Sequence, residues 1–523
     1  MKRIKYLVVG AGPAGLQMGY CFKQKSQDYL IVERGPGAGT FFDTFPRHRT
    51  LISINKRFTG SDHPDFNMRH DWNSLWTEDY GLKFTDYDEE YFPSADRLVD
   101  YLNDFASKYD LNVKYNTDIT SIERDGDGYV ATAADGEKYY AQTLLMGTGF
   151  ARPMAPDIKG IEHAVNYWDM SVDRRDFENQ RVLIIGKGNS GFETADHLVS
   201  AAAMIHVVSP NSLNMAWKSH YVGHLRAVNN NFLDTYQLKS QNAVIDADVD
   251  GIEKTADGTF RVTFRYKHAQ GEVEALVYDQ ILCCAGFRVD DQIFGEGCRP
   301  DLTPRGKFPE LTPEFESVNC KNMFFIGTLT HSLDFRKTTS GFIHGFRYNV
   351  VALEKILARR NDKAALPETV LDSTATQLAK HVLERTNTSG ALWQQPGYLA
   401  DYFYFDDDGR VHFGEQMPLE YVKQYVAHGD RPTFTVSLEY GDPIEGDPFC
   451  VERIHRENVQ DARSSQFLHP VIRCFNRGHL TSEHHVIEDL ESRWVEAIHF
   501  EPLAMFLEPY FVMRREPAEA VEA

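Results

Sequence analysis

The sequence lacks the features that mark membrane proteins and nucleic-acid-binding proteins. No apolar run approaches the roughly 18 residues that a membrane-spanning helix requires. Acidic residues outnumber basic residues by 76 to 55, which gives a formal net charge of -21. Neutralising the phosphates of a nucleic acid requires a basic surface. The composition therefore predicts a protein whose partner is neither a membrane nor a nucleic acid.

Cysteine is also scarce. The chain has seven cysteines, an odd number, and none belongs to a Cys-x-x-Cys pair. No group of histidine, cysteine and acidic residues has the spacing of a metal site, so no metal is predicted. Residues 6–9 are apolar and run directly into a glycine-rich turn, which predicts a first strand rather than a signal peptide. These features favour a reducing, cytoplasmic location.

The glycine-rich turn near the start of the chain has the pattern of a dinucleotide-binding site. An apolar strand over residues 4–9 precedes it, a helix over residues 16–22 follows, and residues 29–33 form the next strand. The glycines of such a turn allow a tight bend, a close approach of the pyrophosphate and close helix packing, while an acid on the second strand binds ribose. The predicted dinucleotide contacts are Gly10, Gly12, Pro13, Ala14, Gly15 and Glu33.

A second turn of the same kind follows an apolar strand over residues 181–185, and residues 203–208 form the next strand. Ser209 stands where the first unit has its acid, and a serine does not repel the 2′-phosphate of NADPH as a carboxylate does. We therefore predict NADPH at this site, with NADH as the alternative. The predicted contacts are Gly186, Gly188, Asn189, Ser190, Gly191 and Ser209.

The segments after the two turns also repeat each other. A ribbon with Asp-Gly turns leads to an apolar strand that ends in a Gly-Phe corner, at residues 149–150 and again at residues 286–287. A third apolar strand, residues 323–326, is expected to complete the first unit. Two such units place two dinucleotides face to face, as hydride transfer requires. We predict an α/β fold with two Rossmann-like dinucleotide-binding domains.

These motifs resemble those of the flavin-containing monooxygenases, which are class B flavoproteins, over about residues 1–355. The resemblance includes the Gly-x-Gly-Asn-Ser pattern of the second turn and the segment of residues 47–56, in which Asn55 matches an asparagine that faces the flavin. Along nearly its whole length the chain is similar to the FAD-dependent oxidoreductase domain-containing protein 2 family. The motifs that carry this similarity are residues 44–49, 220–223, 334–337, 341–348 and 467–472.

The resemblance implies FAD on the first unit and NADPH on the second. It implies a monooxygenase in which hydride passes to flavin N5, O₂ adds at C4a, and the (hydro)peroxyflavin oxygenates a small metabolite, with N-hydroxylation favoured. Two alternatives stay open. One is an NAD(P)H-dependent flavin reductase or disulfide reductase, and the other is a catalytically idle flavoprotein that serves as a scaffold.

The candidate catalytic residues are Asn55, as a neutral donor to the flavin peroxide, and Lys337. Serine and threonine before a helix predicted over residues 342–357 are typical N-caps, and the start of this helix would stabilise negative charge on the flavin. Cys283 and Cys284 are successive strand residues that point to opposite faces, so both cannot reach the flavin. Further predicted cofactor contacts are Arg34, Thr40, Arg49, Thr148, Gly149, Tyr221, Ala285, Gly286, Phe287, Gly327, Gly341 and Phe342.

The pattern changes after about residue 362, where prolines interrupt short elements and aromatic residues are frequent. Residues 482–499 have the mixed pattern of an amphipathic helix. We predict a mixed α/β module that covers the active site or forms the interface of a homodimer. The predicted division is an FAD-binding domain over residues 1–160 and 291–362, an NAD(P)H-binding domain over residues 161–290, and the C-terminal module over residues 363–523.

Overall fold

The computed structural model describes residues 1–237, 241–442, 446–447 and 450–512. Its strands are β1 (Lys2–Val9), β2 (Tyr29–Val32), β3 (Val113–Lys114), β4 (Ile119–Asp125), β5 (Gly128–Ala133), β6 (Lys138–Met146), β7 (Arg152–Pro153), β8 (Val165–Asn166), β9 (Arg181–Ile185), β10 (Met204–Ser209), β11 (Ala243–Lys254), β12 (Phe260–Tyr266), β13 (Val273–Tyr278), β14 (Gln280–Cys283), β15 (Phe287–Arg288), β16 (Met323–Phe325), β17 (Glu368–Leu371), β18 (Leu399–Phe405), β19 (Val411–Pro418), β20 (Thr433–Glu439), β21 (His469–Asn476) and β22 (His479–His485).

The helices are α1 (Pro13–Gln24), α2 (Thr40–Thr44), α3 (Pro64–Met68), α4 (Ala95–Lys108), α5 (Asn189–Leu198), α6 (Ala216–Ser219), α7 (Asn231–Gln237), α8 (Ile343–Asp362), α9 (Ala375–Thr388), α10 (Gly390–Gln394), α11 (Leu419–Tyr421) and α12 (Ala497–Val512). Within the described ranges, none of these helices has the length and apolar character needed to cross a membrane.

The first sheet builds the first nucleotide-binding unit. Its order is β3-β2-β1-β6-β5-β4, and β16 joins it by pairing with β6. The strands β3, β2, β1, β6 and β16 are parallel, whereas β4 and β5 form an antiparallel ribbon with β6. The helices α1, α4 and α8 cover it, as their shared apolar cluster indicates. The late strand β16 thus completes the first unit, as predicted.

The second sheet repeats this plan in the order β13-β12-β11-β10-β9-β14-β8. The strands from β11 to β8 are parallel, and β12 and β13 extend the sheet as an antiparallel ribbon. In parallel sheets, ligands bind beyond the carboxyl ends of the strands. The two glycine-rich turns follow β1 and β9, which places each of them at such an end.

The third sheet, β17-β19-β18-β20-β21-β22, is antiparallel throughout. The helices α9 and α12 pack on one of its faces through a common apolar cluster that includes Phe403, Phe434 and Leu503. The structure therefore confirms the predicted α/β class, with two dinucleotide-binding units and a C-terminal mixed module. The domain boundaries proposed from the sequence stay predictions.

Two local predictions are wrong. Residues 482–499 do not form one helix, because the segment begins within β22 and α12 starts only at Ala497. The helix predicted over residues 342–357 exists as α8, but its N-cap is Phe342, which makes no side-chain capping bond. The nearby Thr338 and Ser340 bind Asp334, Gln395 and Asn349 instead of capping the helix.

Candidate active site

The glycines of the first glycine-rich turn are of two kinds: Gly10 and Gly15 leave room for backbone atoms, and Gly12 leaves open space. Gly10 has a φ of 107°, and a Cβ at this position would lie 2.6 Å from the carbonyl oxygen of Gly147. A Cβ on Gly15 would collide with the carbonyl oxygen of Gly10. At Gly12, in contrast, a Cβ would meet no atom within 4 Å. The space beside Gly12, at the start of α1, is therefore open to a ligand.

Glu33 follows β2 and is oriented by three donors. One carboxylate oxygen accepts the N–H of Ala11 over 2.7 Å, and the other accepts the N–H of Gly35 and the hydroxyl of Thr40, each over 2.9 Å. An ionised carboxylate has about four acceptor sites. One site is thus left for a ribose hydroxyl at the cavity that Glu33 and Thr40 both line.

The second glycine-rich turn contains the same two kinds of glycine. Gly186 has a φ of 123°, and a Cβ on it would collide with the carbonyl oxygen of Cys284, whereas a Cβ on Gly188 would meet nothing within 4 Å. Asn189 holds the segment of residues 223–229 against this turn through hydrogen bonds. The amide of Asn189 donates to the carbonyl oxygen of His224 over 2.8 Å and accepts the backbone N–H of Arg226 over 3.0 Å.

A single cavity of about 670 Å³ joins the two units, within the size range of ligand pockets. The predicted cofactor contacts that line it are Gly10, Gly12, Pro13, Ala14, Glu33, Arg34, Thr40, Thr148, Gly149, Asn189, Ser190, Phe287, Gly327, Gly341 and Phe342. Residues from β1, β2, α5 and the start of α8 therefore meet at one site, as the two-unit interpretation requires.

Other predicted residues lie outside the cavity lining. These residues are Gly15, Arg49, Asn55, Gly186, Gly188, Gly191, Ser209, Tyr221, Ala285, Gly286 and Lys337. Gly15, Gly186 and Gly191 serve the backbone packing of the turns, where a Cβ on Gly191 would strike the carbonyl oxygen of Gly186. Arg49 binds Asp96 and the carbonyl oxygen of Phe42.

The structure brings neither predicted catalytic side chain to the cavity. The Asn55 amide nitrogen donates to the carbonyl oxygens of Asp88 and Glu90 over 2.6 and 3.3 Å, while Oδ1 of Asn55 has no partner among the described residues. Lys337 lies exposed in the loop before α8. Instead of Asn55, its neighbours Leu51, Ile52 and Ser53 line the cavity.

Tyr221 joins the second unit to the first without lining the cavity. Its hydroxyl lies 2.8 Å from Nε2 of His331, and Nδ1 of His331 lies 2.9 Å from a carboxylate oxygen of Asp334. All three residues are buried. This chain of hydrogen bonds holds the segment around Tyr221 against the loop that leads to α8. The residues that follow Tyr221 are those whose backbone Asn189 binds at the second turn.

Sequence reasoning missed several side chains of the cavity wall, including Tyr167 and Glu193. The Tyr167 hydroxyl donates to Glu193, which lies one turn after Asn189 on α5, and also accepts the backbone N–H of Arg47 over 3.0 Å. Burial raises the pKa of Glu193 to about 7. The sequence could have indicated Glu193, because a residue four positions after Asn189 lies on the same face of the helix as Asn189 and therefore on the ligand side.

Comparisons with known proteins show the family to which this chain belongs. The family model described as pyridine nucleotide-disulphide oxidoreductase matches residues 7–327. A mouse (Mus musculus) protein, FAD-dependent oxidoreductase domain-containing protein 2, is 35% identical over an alignment of 558 residues that covers 96% of this chain and 83% of the mouse protein. The chain belongs to the FAD-dependent oxidoreductase domain-containing protein 2 family. The resemblance carried by the motifs is thereby confirmed.

Two solved structures have a fold similar to that of this chain. They are the bacillithiol disulfide reductase Bdr of Staphylococcus aureus and a flavin-containing monooxygenase of Stenotrophomonas maltophilia. Each has a TM-score of 0.54 and 18% identity over 69% of this chain, and the alignments cover 100% and 99% of the two structures, respectively. Because a disulfide reductase and a monooxygenase match equally well, the fold does not distinguish the two reactions.

The first unit of this FAD-dependent oxidoreductase fits FAD. The open space beside Gly12 suits a pyrophosphate, and Glu33 retains an acceptor site for ribose. Gly341 and Phe342 also line the cavity and precede α8, whose first N–H groups would face the flavin. The cavity therefore offers contacts for both ends of the cofactor.

Proposed function

We propose that this protein is an NADPH-driven, FAD-dependent monooxygenase that oxygenates a small metabolite, with N-hydroxylation as the favoured reaction. The observation that carries the proposal is the single cavity between the two nucleotide-binding units, whose lining residues within the described chain include no cysteine. A site that accepts hydride from one dinucleotide and has no thiol beside it is suited to passing electrons to O₂.

The first unit would hold FAD through Gly10, Gly12, Ala14 and Glu33, and bound FAD would supply hydride acceptance and reaction with O₂. The protein contributes orientation and the exclusion of water. Aromatic rings close the cavity beside the second unit, where Phe45 and Phe287 pack with ring centroids 5.3 Å apart. Such an apolar wall protects a reactive species from hydrolysis.

The second unit would hold NADPH at the open space beside Gly188 and at the start of α5, where Asn189 and Ser190 line the cavity. Ser209 ends β10 and donates its hydroxyl to the carbonyl oxygen of Asn211 over 3.0 Å. The absence of an acid at this strand end favours NADPH over NADH. The catalytic roles predicted for Asn55 and Lys337 stay predictions, and the proposal does not depend on them.

The alternative of a disulfide reductase is disfavoured by the positions of the sulfur atoms. Cys283 and Cys284 are 4% and 5% exposed, and burial raises the pKa of both thiols. A redox-active thiol needs a lowered pKa and access to the flavin. We further propose a cytoplasmic location, because all seven cysteines are free and six of them are buried, as suits a reducing compartment.

Flavin spectroscopy tests the proposal. The purified holoprotein is reduced with NADPH or NADH under anaerobic conditions and then mixed with O₂. We expect faster reduction by NADPH, followed by a transient absorbance band that belongs to neither oxidised nor reduced flavin.

Three other outcomes would contradict the proposal. Immediate reoxidation with stoichiometric hydrogen peroxide would contradict oxygenation. Turnover of an aromatic disulfide at the expense of NADPH would favour the reductase. Failure of both nicotinamide cofactors to reduce the flavin would favour the scaffold.

A further inference from the structure

Arg226 extends from the second unit to a part of the cavity wall that belongs to the first unit. Its guanidinium lies over the indole of Trp72, 5.1 Å from the ring centroid, and both residues line the cavity. To the described residues the guanidinium makes neither a hydrogen bond nor an ion pair, and burial lowers its pKa. A partly buried cation without an anionic partner is costly unless a ligand supplies the anion.

His344 lies at the same part of the wall, in the first turn of α8. Its imidazole stacks on Trp72 with ring centroids 4.1 Å apart and on Phe342 at 5.7 Å. The residue is 1% exposed, and neither ring nitrogen has a hydrogen-bond partner among the described residues. Burial, Arg347 and Arg226 lower the pKa of His344. The ring is therefore neutral, with one N–H to donate.

The position of the guanidinium separates it from the proposed phosphate sites. The phosphates of a dinucleotide on the second turn would lie against Gly188 and the start of α5. The backbone of Arg226 is fixed there by Asn189, but its side chain crosses to Trp72. The other arginine of the described cavity lining is Arg34, which follows Glu33 in the part proposed for the adenosine of FAD.

We propose that Arg226 and His344, grouped around Trp72, bind the carboxylate of the substrate, and that the substrate is an organic acid with a flat, unsaturated body. A guanidinium presents two parallel N–H groups to a carboxylate, and the imidazole adds one more. The rings of Trp72 and Phe342 offer apolar surface for the body of the acid. This assignment deepens the proposed function and rests on it for the identity of the ligand as the substrate.

Binding is tested without turnover, on the oxidised holoprotein. Benzoate and indole-3-acetate are titrated while the flavin absorbance spectrum is followed, and benzamide and indole-3-acetamide serve as the neutral counterparts. We expect a saturable shift with the acids only. Arg226→Met should weaken acid binding by at least about tenfold, as the loss of a charged hydrogen bond does, and His344→Phe, which keeps the stacking, by about threefold.

A matched control removes a similar cation elsewhere. The guanidinium of Arg431 lies over Tyr404 at 4.1 Å, and neither residue lines the cavity. Arg431→Met should bind both acids as the unsubstituted protein does.

The proposal is overturned if neither acid gives a saturable shift, or if Arg226→Met binds them normally. It is also overturned if Arg226→Met weakens NADP⁺ binding instead, because the guanidinium would then serve a cofactor phosphate. A failure of the oxygenase proposal looks different. Acid binding through Arg226 together with complete release of hydrogen peroxide would retain the carboxylate site and refute oxygenation.

Discussion

Glu193 carries a buried carboxyl group whose ionisation opposes folding. Its pKa rises from 4.5 to about 7, chiefly through desolvation. In acid both the folded and the unfolded protein hold the proton. Between pH 4.5 and about pH 7, the unfolded chain releases the proton of Glu193 while the folded protein keeps it. The folded state therefore loses stability as the pH rises through this window, and the loss is complete above a pH of about 7.

We expect Glu193→Gln to remove this pH-dependent cost. Between about pH 4.5 and about pH 7, the free energy of unfolding of the unsubstituted protein should fall by roughly 2–3 kcal/mol relative to that of Glu193→Gln, because each pKa unit is worth about 1.4 kcal/mol. Urea unfolding of both proteins across this range measures the difference. In Tyr167→Phe the window should extend to higher pH, because the Tyr167 hydroxyl lowers the pKa of Glu193. Parallel pH profiles for Glu193→Gln and the unsubstituted protein would contradict the prediction.

The sequence predicts the role of a residue well where the backbone conformation allows only one residue type. Gly10 and Gly186 have positive φ values and no room for a Cβ, so the motif alone identifies their role. The direction of a side chain was less predictable. Asn55 carries the family pattern, yet its amide nitrogen donates to two carbonyl groups of another loop. Arg226 has no local signal, because its significance comes from Trp72, which is distant in sequence.

At the scale of the elements, the two glycine-rich turns allow the two cofactor sites to be tested separately. Gly12 and Gly188 have ordinary φ values of -72° and -89°, and a Cβ at either position would meet no protein atom. We expect Gly12→Ala and Gly188→Ala to fold normally. The added methyl group should obstruct only the pyrophosphate that approaches each turn.

Gly12→Ala should accordingly purify with less FAD per chain, measured by the absorbance ratio at flavin and protein wavelengths. Gly188→Ala should retain FAD but raise the KM for NADPH by about tenfold, equivalent to about 1.4 kcal/mol of lost binding. Gly297→Ala is the control, since its Cβ also meets no atom and the residue is remote from both turns in sequence. Equal FAD content and equal KM in all three variants would contradict the two-site assignment.

The elements of the two units were largely predictable because each βαβ unit repeats local signals, namely an apolar strand, a glycine-rich turn and a helix. The third module gave weaker signals. The segment that begins in β22 mixes charged and apolar residues, and its partner β21 provides the pairing that makes residues 479–485 a strand. Such pairing depends on tertiary context more than on intrinsic preference.

At the scale of the whole molecule, the C-terminal module supports the loop that carries Trp72. Arg69 is 3% exposed. Its guanidinium donates to the carbonyl oxygens of Ser389 over 3.2 Å and of Thr386 over 2.6 Å, and it lies 4.6 Å from the ring centroid of Trp393. From the other side, Arg347 on α8 donates to carbonyl oxygens of the same loop. The module is thus tied to the cavity wall, whereas its role in a homodimer stays a prediction.

We expect Arg69→Met to lower the free energy of unfolding by about 2–4 kcal/mol, because the carbonyl groups of Thr386 and Ser389 lose a buried charged donor. The same change should weaken benzoate binding, since Trp72 would no longer be held in place. Urea unfolding and the flavin titration measure the two effects. Arg477→Met is the control: its exposed ion pair with Asp430 is worth at most about 1 kcal/mol. If both variants behave alike, the C-terminal module does not support the cavity, and its contact with the loop is passive packing.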